Sequence, residues 1–232
     1  MAKVIIFSGA GVSAESGIST FRDSDGLWEN YDIREICSAG CLSWNRDETI
    51  KFYDMRREDI RNKKPNYAHQ EICKLKEKYP NDIAIITQNV DDMFEKAGCS
   101  DVLHLHGFLP EVVCESCGFK ENIGYDKLDS AYSECPSCAV LLRPNIVFFG
   151  EAAPRYADLY EAFDDCEVFV VIGTSGNVIN TDMFLNRQIK LSILNNLEPS
   201  AAINDRLYSK VLYKKATEAI DEIIMDIEDF LA

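Results

Sequence analysis

The strongest constraint on the fold of this chain is an apolar run at residues 3–8 that leads directly into the segment GAGVSA at residues 9–14. This segment satisfies the pattern G-x-G-x-x-A of dinucleotide-binding turns. Its two glycines permit a tight turn and a close approach of the backbone to a pyrophosphate, whose charge the following helix N-terminus stabilises. The opening therefore predicts a buried first strand followed by a nucleotide-binding turn.

Further short apolar runs, rich in Val and Ile, occur at residues 83–87, 145–149, 168–173 and 191–195. Such runs are typical of parallel strands that are buried on both faces. Helical periodicity appears between and after them, at residues 67–79 and in a final apolar stripe of Ile220, Ile223, Ile224, Ile227 and Phe230. Strands that alternate with helices predict an α/β fold, a Rossmann-like doubly wound parallel sheet.

Two segments interrupt this alternation. Residues 27–80 show helical patterns with little strand signal, and residues 112–141 are loop-like and contain cysteines. We interpret them as a helical insertion and a zinc-binding module that together form a small lobe. The predicted nucleotide-binding domain then comprises residues 1–26, 81–111 and 142–232.

The prediction of zinc rests on two cysteine pairs, Cys114-x2-Cys117 and Cys135-x2-Cys138. Four thiolates in two knuckles of this spacing form a closed tetrahedral site, which indicates one structural zinc per chain in a zinc-ribbon module. Free core thiols are the alternative, but the residues around these cysteines are polar or turn-forming. The other five cysteines show no ligand pattern: Cys37, Cys41, Cys73, Cys99 and Cys166.

The charge balance bears on partners. There are 39 acidic and 24 basic side chains, which gives a net charge of -15. This charge would repel a polyanionic duplex, so we expect no direct nucleic-acid binding and consider basic, lysine-bearing protein segments better partners. The acidity alternatively serves solubility alone.

No apolar run reaches the roughly 20 residues that span a bilayer, and the opening run is too short for a signal peptide. We therefore expect a cytoplasmic protein, and its oligomeric state stays undetermined.

An ordinary dehydrogenase is disfavoured, because a second strand ending in an acidic residue about 20 positions on is missing. After the glycine turn the chain instead continues with polar and aromatic residues, SAESGISTFRDSDGLWENY at 13–31.

A second polar set follows the apolar run at 83–87, beginning with Gln88 and Asn89, at a strand end where ligands gather in open α/β sheets. Two of the three histidines, His104 and His106, lie at the end of another strand-like run. A lone histidine on a strand is more often structural, which suits His104, and His69 is most simply a packing residue in a helix.

Seven segments together carry a resemblance to a known family. GAGVSAESGISTFRDSDGLW at 9–28 closely resembles the NAD-binding opening of sirtuins. TQNVDD at 87–92, HLHG at 104–107, the cysteine pairs, FFGE at 148–151, GTS at 173–175 and NLEPS at 196–200 follow in the family's order. On these motifs the chain is identified as a member of the sirtuin family, the NAD-dependent protein-lysine deacylases.

The resemblance implies NAD as co-substrate, acylated-lysine proteins or peptides as substrates, and nicotinamide, O-acyl-ADP-ribose and free lysine as products. It singles out His106 as general base, a role that suits an imidazole because its pKa is near neutrality. Asn89 and Asp91 would orient the ribose and the nicotinamide carboxamide. The implied NAD contacts are Gly9, Ala10, Gly11, Ala14, Glu15, Thr20, Phe21, Arg22, Trp28, Gln88, Asn89, Val90, Asp91, Gly173, Thr174, Ser175, Asn196, Leu197, Glu198 and Ala216.

The resemblance also implies a peptide-binding strand that pairs with substrate by backbone hydrogen bonds, through Val147, Phe149, Gly150 and Glu151. One sirtuin subgroup removes acidic acyl groups such as succinyl and malonyl with a Tyr-x-x-Arg pair, which Tyr53 and Arg56 match. Residues three apart share a helix face, so both can meet one carboxylate. Without the resemblance, this stretch would indicate a solvated charged helix. Cys37 replaces a small alanine of the subgroup, and residues 177–195 depart from the family pattern.

Two alternatives to a deacylase remain at this point. A protein mono-ADP-ribosyltransferase would use the same cleavage of NAD with another acceptor, but it would gain nothing from the carboxylate clamp. A non-catalytic NAD-sensing module is the other alternative, although binding alone does not require a base at His106.

Overall fold

The computed structural model describes residues 2–19, 32–128 and 133–232, and two sheets organise them. A six-stranded parallel sheet has the order β3-β2-β1-β7-β8-β9, and a three-stranded antiparallel sheet has the order β5-β4-β6. The strands are β1 Val4–Ser8, β2 Ile83–Thr87, β3 Val102–His104, β4 Gly107–Val113, β5 Lys120–Asn122, β6 Arg143–Ile146, β7 Val168–Ile172, β8 Leu191–Asn196 and β9 Lys210–Tyr213. The helices are α1 Ile33–Ile36, α2 Cys41–Trp44, α3 Arg46–Arg61, α4 Tyr67–Lys78, α5 Met93–Lys96, α6 Tyr156–Ala162 and α7 Ala216–Leu231.

Both faces of the parallel sheet are buried, as its continuous apolar strands predict. Val4 and Ile6 of β1 pack into one cluster with α4 and α7, whose stripe of isoleucines lies on the sheet. Ile5 and Phe7 point to the opposite face and pack with α6 and the short helix Thr181–Phe184. The prediction of an α/β fold with a doubly wound parallel sheet is confirmed.

The strand order places a topological switch between β1 and β7. The chain proceeds from β1 through β2 to β3 on one side, and from β7 through β8 to β9 on the other. Connections therefore diverge at the carboxyl ends of β1 and β7, and such a divergence leaves the crevice in which open α/β sheets bind ligands.

One predicted strand was assigned to the wrong sheet. Residues 145–149 were expected to join the parallel sheet, but the strand is Arg143–Ile146 and pairs antiparallel with β4. Phe149 forms only a single bridge, with Ser38. Residues 143–146 follow the cysteine module and run beside β4, so they pair with β4 in the small sheet and do not reach the parallel sheet.

The small sheet and helices α1 to α3 enclose two further apolar clusters. Phe52 and Tyr53 of α3 pack with Ile146 and Phe148 in one cluster. Ile50, one turn earlier, packs with Val112, Leu142 and two of the paired cysteines in the other. Thus α3 contributes to both clusters, as does β4 through Leu109 and Val112. The residue limits that we predicted for the two lobes remain a prediction.

No helix among the described residues is long and apolar enough to cross a membrane.

A buried ion pair within α3 gives a stability prediction. Arg57 is fully buried, donates from Nε to the Leu109 carbonyl at 3.0 Å and pairs with Asp54, whose carboxylate also accepts the Leu128 N–H. Asp54→Ala leaves the guanidinium without its counter-charge, so we expect the free energy of unfolding to fall by about 3–5 kcal/mol in urea titrations.

The matched control for Asp54→Ala is Glu58→Ala on the same helix. Glu58 pairs with Arg61 at 3.3 Å on the exposed face, and loss of such a pair costs about 0–1 kcal/mol. Equal losses in the two variants would contradict a special role for the buried pair.

Candidate active site and zinc cluster

The loops that follow β1 and β7 touch through backbone atoms. Gly11 N–H donates to the Gly173 carbonyl at 2.8 Å, and Gly9 N–H donates to that of Ile172 at 2.9 Å. A Cβ at Gly11 would lie 2.7 Å from Gly173 Cα, and a Cβ at Gly9 would lie 2.8 Å from Gly173 O. Gly173 itself has φ +66°. The contact between these loops therefore requires glycine at these positions, in addition to any need for space beside a bound phosphate.

Polar side chains join the carboxyl ends of four neighbouring strands. Gln88, after β2, donates from Nε2 to Thr174 Oγ1 at 2.8 Å, and Asn196, at the end of β8, donates to the Thr174 carbonyl at 2.9 Å. Asn89 Nδ2 donates to Ser13 Oγ at 3.1 Å. Segments predicted to bind NAD, far apart in the chain, thus line one crevice. Its narrow glycine backbone and amide side chains fit a dinucleotide.

Other predicted NAD contacts lie at the margins of this crevice. The Glu15 carboxylate accepts the backbone N–H of Thr217 at 3.1 Å and its hydroxyl at 2.8 Å, so it fastens the glycine loop to the first turn of α7. Ala216 is buried at the start of that helix, whereas Leu197 and Glu198 are exposed. Thr20, Phe21, Arg22 and Trp28 lie outside the described residues.

His106 lies beside the crevice, next to Gln88. Its Nδ1 is 3.1 Å from the Gln88 carbonyl oxygen, and its Nε2 is 3.1 Å from the Tyr156 hydroxyl. A carbonyl only accepts hydrogen bonds, so Nδ1 carries the proton. Burial lowers the pKa of His106, against the carbonyl contact, so the ring is neutral and Nε2 offers a lone pair. This arrangement fits a general base.

The other two histidines are held on both sides by the protein. His104 Nδ1 and Nε2 are each 2.9 Å from an oxygen, of the Asn89 carbonyl and of the Glu95 carboxylate. Burial opposes protonation, but the hydrogen bond and charge of Glu95 raise the pKa of His104. The prediction that His104 is structural agrees with this geometry.

His69 does more than pack. Its Nδ1 accepts the Asn66 N–H at 3.3 Å and completes the cap of α4, while Nε2 lies 3.3 Å from Ser13 Oγ. Burial lowers the pKa of His69 to about 4, so the ring is neutral and Nε2 donates to Ser13. Ser13 also receives the Asn89 amide, and it was not singled out from the sequence although it lies within the glycine motif.

Asp91 is buried beside this network. Burial raises the pKa of its carboxyl, although hydrogen bonds from the Met93 N–H and from Ser13 act in the opposite direction. The Met93 N–H lies 3.1 Å from Oδ1. Asp91 also interacts electrostatically with Arg56 of α3, which connects the predicted nicotinamide side of the crevice with the predicted acyl pocket.

Tyr53 and Arg56 are buried, with 3% and 9% of their surfaces exposed, so the alternative of a solvated charged helix is wrong here. The Tyr53 ring stacks on Phe148 at a centroid distance of 5.5 Å. Its hydroxyl lies 3.0 Å from Cys37 Sγ. Tyr53 therefore lies in the apolar cluster formed by α3 and the FFGE segment, and Arg56 is buried one turn later on the same helix.

The predicted peptide-binding segment is anchored at both ends. Val147 N–H donates to the His106 carbonyl at 2.9 Å. At the other end, the Glu151 carboxylate accepts the Phe148 N–H at 2.9 Å and pairs with Arg143. Phe149 lies between them, and its backbone pairs with Cys37 and Ala39 at 2.8 Å. The turn at Gly150, φ +87°, exposes the Phe149 ring.

The four paired cysteines form one cluster, in which all Sγ atoms lie within 4.8 Å of one another. Three of the Sγ–Sγ distances are 3.5, 3.6 and 3.6 Å. Tetrahedral coordination with Zn–S bonds of about 2.3 Å requires sulfur separations of about 3.8 Å, so the cluster fits zinc with little adjustment. Four thiolates fill the coordination shell, which makes the site structural.

Comparisons with known proteins agree with this site. A model of the Sir2 family matches residues 9–180. An NAD-dependent protein deacylase of Campylobacter jejuni is 47% identical over 232 residues, covering 100% of this chain and 98% of that protein. One of Helicobacter hepaticus is 39% identical over 256 residues, covering 99% of each.

Solved structures of Sir2 homologues are also similar to this chain. A Sir2 homologue in complex with NAD matches with a TM-score of 0.84 and 33% identity, covering 99% of this chain and 90% of that chain. A mutant Sir2 homologue with ADP-ribose gives a TM-score of 0.86 at 32% identity, covering 98% and 92%.

Metal analysis tests the zinc cluster. We expect about one zinc per chain after purification without chelators, and Cys135→Ser should lose the metal because three thiolates leave the site incomplete. Cys166→Ala is the control, since Cys166 is buried outside the cluster, and it should keep the full equivalent. Zinc retention by Cys135→Ser, or zinc loss in Cys166→Ala, would contradict the assignment.

Proposed function

The chain belongs to the Sir2 family, and we propose that it is an NAD-dependent protein-lysine deacylase that removes succinyl and malonyl groups as well as acetyl groups. The acyl preference rests on one observation above all, the burial of Tyr53 and Arg56 on α3. In a pocket that is largely withdrawn from water, a guanidinium beside a phenol can bind an entering anion through charge-assisted hydrogen bonds. A carboxylate at the end of a short acyl chain is such an anion.

The electrostatics of the pair suit this role. Burial lowers the pKa of Arg56, while Tyr53 and Asp91 oppose that effect, and an arginine keeps its charge at neutral pH. Arg56 can thus present paired N–H donors to a carboxylate. The protein as a whole is strongly acidic, so a local positive site is needed if an anionic side chain is to enter.

Cys37 bears on the orientation of the Tyr53 hydroxyl. Burial raises the pKa of the Cys37 thiol, which therefore stays protonated and has an S–H to donate. If the thiol donates to the phenol oxygen across the 3.0 Å contact, the phenolic proton is left for the acyl carboxylate. Cysteine in place of alanine is then compatible with recognition of an acidic acyl group.

In the reaction, NAD supplies when bound the ribose carbon from which nicotinamide leaves and to which the acyl oxygen attaches. The crevice residues Asn89 and Asp91 would hold the reacting groups in orientation, an effect worth several kcal/mol. His106 would accept a proton from a ribose hydroxyl at Nε2, while the Gln88 carbonyl keeps Nδ1 protonated and the ring in place.

The lowered pKa of His106 keeps the base competent at neutral pH. A base must be unprotonated to act, so activity is lost as the pH falls through the pKa of His106. Burial holds that pKa below the ordinary value of a histidine. The loss of activity on the acid side of the pH profile should therefore occur at a pH below the ordinary histidine pKa.

Nicotinamide release separates the deacylase from its alternatives. A deacylase releases nicotinamide when an acylated peptide is present and frees the lysine, as mass spectrometry would show. A mono-ADP-ribosyltransferase would add mass to an acceptor without acyl loss, and a sensing module would release nothing. Peptides with acetyl-, malonyl- and succinyl-lysine would be compared with NAD in parallel.

His106→Gln tests the assignment of the base. We expect this variant to bind NAD, because the glycine loop and Asn89 are unchanged, while turnover falls by about two to four orders of magnitude. His104→Gln is the matched control, since its amide can keep a contact with Asn89 or Glu95, and it should lose far less. Equal losses in the two variants would contradict the role of His106.

Arg56→Met tests acyl selectivity. The methionine keeps much of the apolar stem, so deacetylation should stay within a few-fold of the parent. Desuccinylation should fall by a factor equivalent to about 2–5 kcal/mol, since a charge-assisted contact in a desolvated pocket is lost. The measurement is kcat/KM for acetyl- and succinyl-lysine peptides.

The control for this selectivity is Arg61→Met, one turn further along α3. The Arg61 side chain is 43% exposed and pairs with Glu58, so its loss should leave both activities nearly unchanged. Parallel losses of deacetylation and desuccinylation in Arg56→Met would mean that Arg56 supports the pocket without binding the acyl carboxylate.

A further inference from the structure

Tyr156 lies against the reactive nitrogen of His106, although no sequence motif connects the two residues. It is the first residue of α6 and lies five positions after Glu151. Its hydroxyl is 3.1 Å from Nε2 of His106, and the two rings are tilted by 46° at a centroid distance of 6.2 Å. Leu159, on the next turn of α6, is 1% exposed in the core, which fixes the helix that carries the phenol.

The direction of this hydrogen bond follows from the other side of the ring. Nδ1 of His106 faces the Gln88 carbonyl and must be the protonated nitrogen. In the neutral ring, Nε2 is then only an acceptor. Burial raises the pKa of Tyr156, so its phenol keeps its proton at neutral pH and donates it to Nε2.

We propose that Tyr156 is a positioning residue for the general base, whose hydroxyl occupies Nε2 of His106 in the substrate-free enzyme and must leave before His106 can accept a substrate proton. This inference rests on the proposed role of His106. An imidazole nitrogen has one lone pair in the ring plane, so the Tyr156 hydroxyl and a ribose hydroxyl cannot both donate to it. The contact therefore orients the ring at rest and competes with the hydroxyl on which the base acts.

This competition should weaken the binding of a ligand whose ribose hydroxyl reaches Nε2 of His106. An interaction that is present in the free enzyme and broken on binding opposes that binding, whereas one made only in the complex favours it. Removal of the Tyr156 hydroxyl should thus strengthen the binding of a ligand that brings a ribose to His106. The expected gain is about two- to tenfold, the size of one ordinary hydrogen bond.

Tyr156→Phe, with Tyr160→Phe as its control, tests the proposal. Tyr160 lies one helical turn further on, is 52% exposed, and its ring faces Phe184 at 5.9 Å. The dissociation constant of ADP-ribose, measured by calorimetry on the zinc-loaded chain, should fall about two- to tenfold in Tyr156→Phe. It should not change in Tyr160→Phe.

Imidazole ¹⁵N spectra provide the second readout, which is tractable because the chain has three histidines. The parent should show His106 protonated on Nδ1. In Tyr156→Phe, Nδ1 should stay protonated because of Gln88, while the Nε2 resonance should move downfield towards that of a nitrogen without a hydrogen bond. In Tyr160→Phe, the signals of His106 should stay where they are.

The outcomes separate this inference from the proposed function. An unchanged Nε2 resonance, or a dissociation constant that is unchanged or higher in Tyr156→Phe, would overturn the role of Tyr156 whether or not the chain turns over. Absence of nicotinamide release by the parent with acylated peptides would instead overturn the proposed function, and neither Tyr156 readout depends on turnover.

Discussion

The contact between the glycine loop and the Gly173 turn is the constraint on which the rest of the site depends. Backbone atoms of the two loops approach to hydrogen-bonding distance, with Gly11 N–H on the Gly173 carbonyl at 2.8 Å. A side chain at Gly9, Gly11 or Gly173 would collide with the opposite loop. This contact closes the end of the switch-point crevice, and Gln88, Thr174 and Asn196 then meet across it. The meeting of these side chains, with His106 held next to Gln88, follows from how closely these two strands end.

The zinc cluster acts on the site from outside the chemistry. Arg143 pairs with Glu115 in the first cysteine knuckle and with Glu151 at the end of the FFGE segment, and its guanidinium lies 4.1 Å from the centre of the Phe148 ring. A metal that fixes the knuckle therefore also fixes the segment on which Tyr53 stacks. A zinc ion in the cluster would thus contribute to the shape of the proposed acyl pocket through one buried arginine.

Much of the site could be predicted because its residues lie in short, ordered motifs at strand ends. The glycine loop, the GTS turn and the cysteine pairs each have a local physical signature, and the parallel sheet follows from continuous apolar runs. The contact of Tyr156 with His106 spans 50 positions and has no periodic signal. The role of His69 likewise depends on the packing of α4 against the glycine loop. Residues 145–149 resembled a core strand because a short apolar run does not specify which sheet a strand joins. Strand β9 has only four residues, Lys210–Tyr213, which is too short for a clear signal.

Helix α3 contacts two apolar clusters at once, since Ile50 packs against the cysteine module and Tyr53, one turn later, packs beside Phe148 in the proposed acyl pocket. A continuous α-helix is stiff over one turn, so the two clusters cannot shift independently. Changes of acyl preference in the course of evolution, or by design, must then preserve the register of α3 and vary side chains on its pocket face. A graft of the proposed pocket into another scaffold would then need the cysteine module with it, because one helix carries side chains of both.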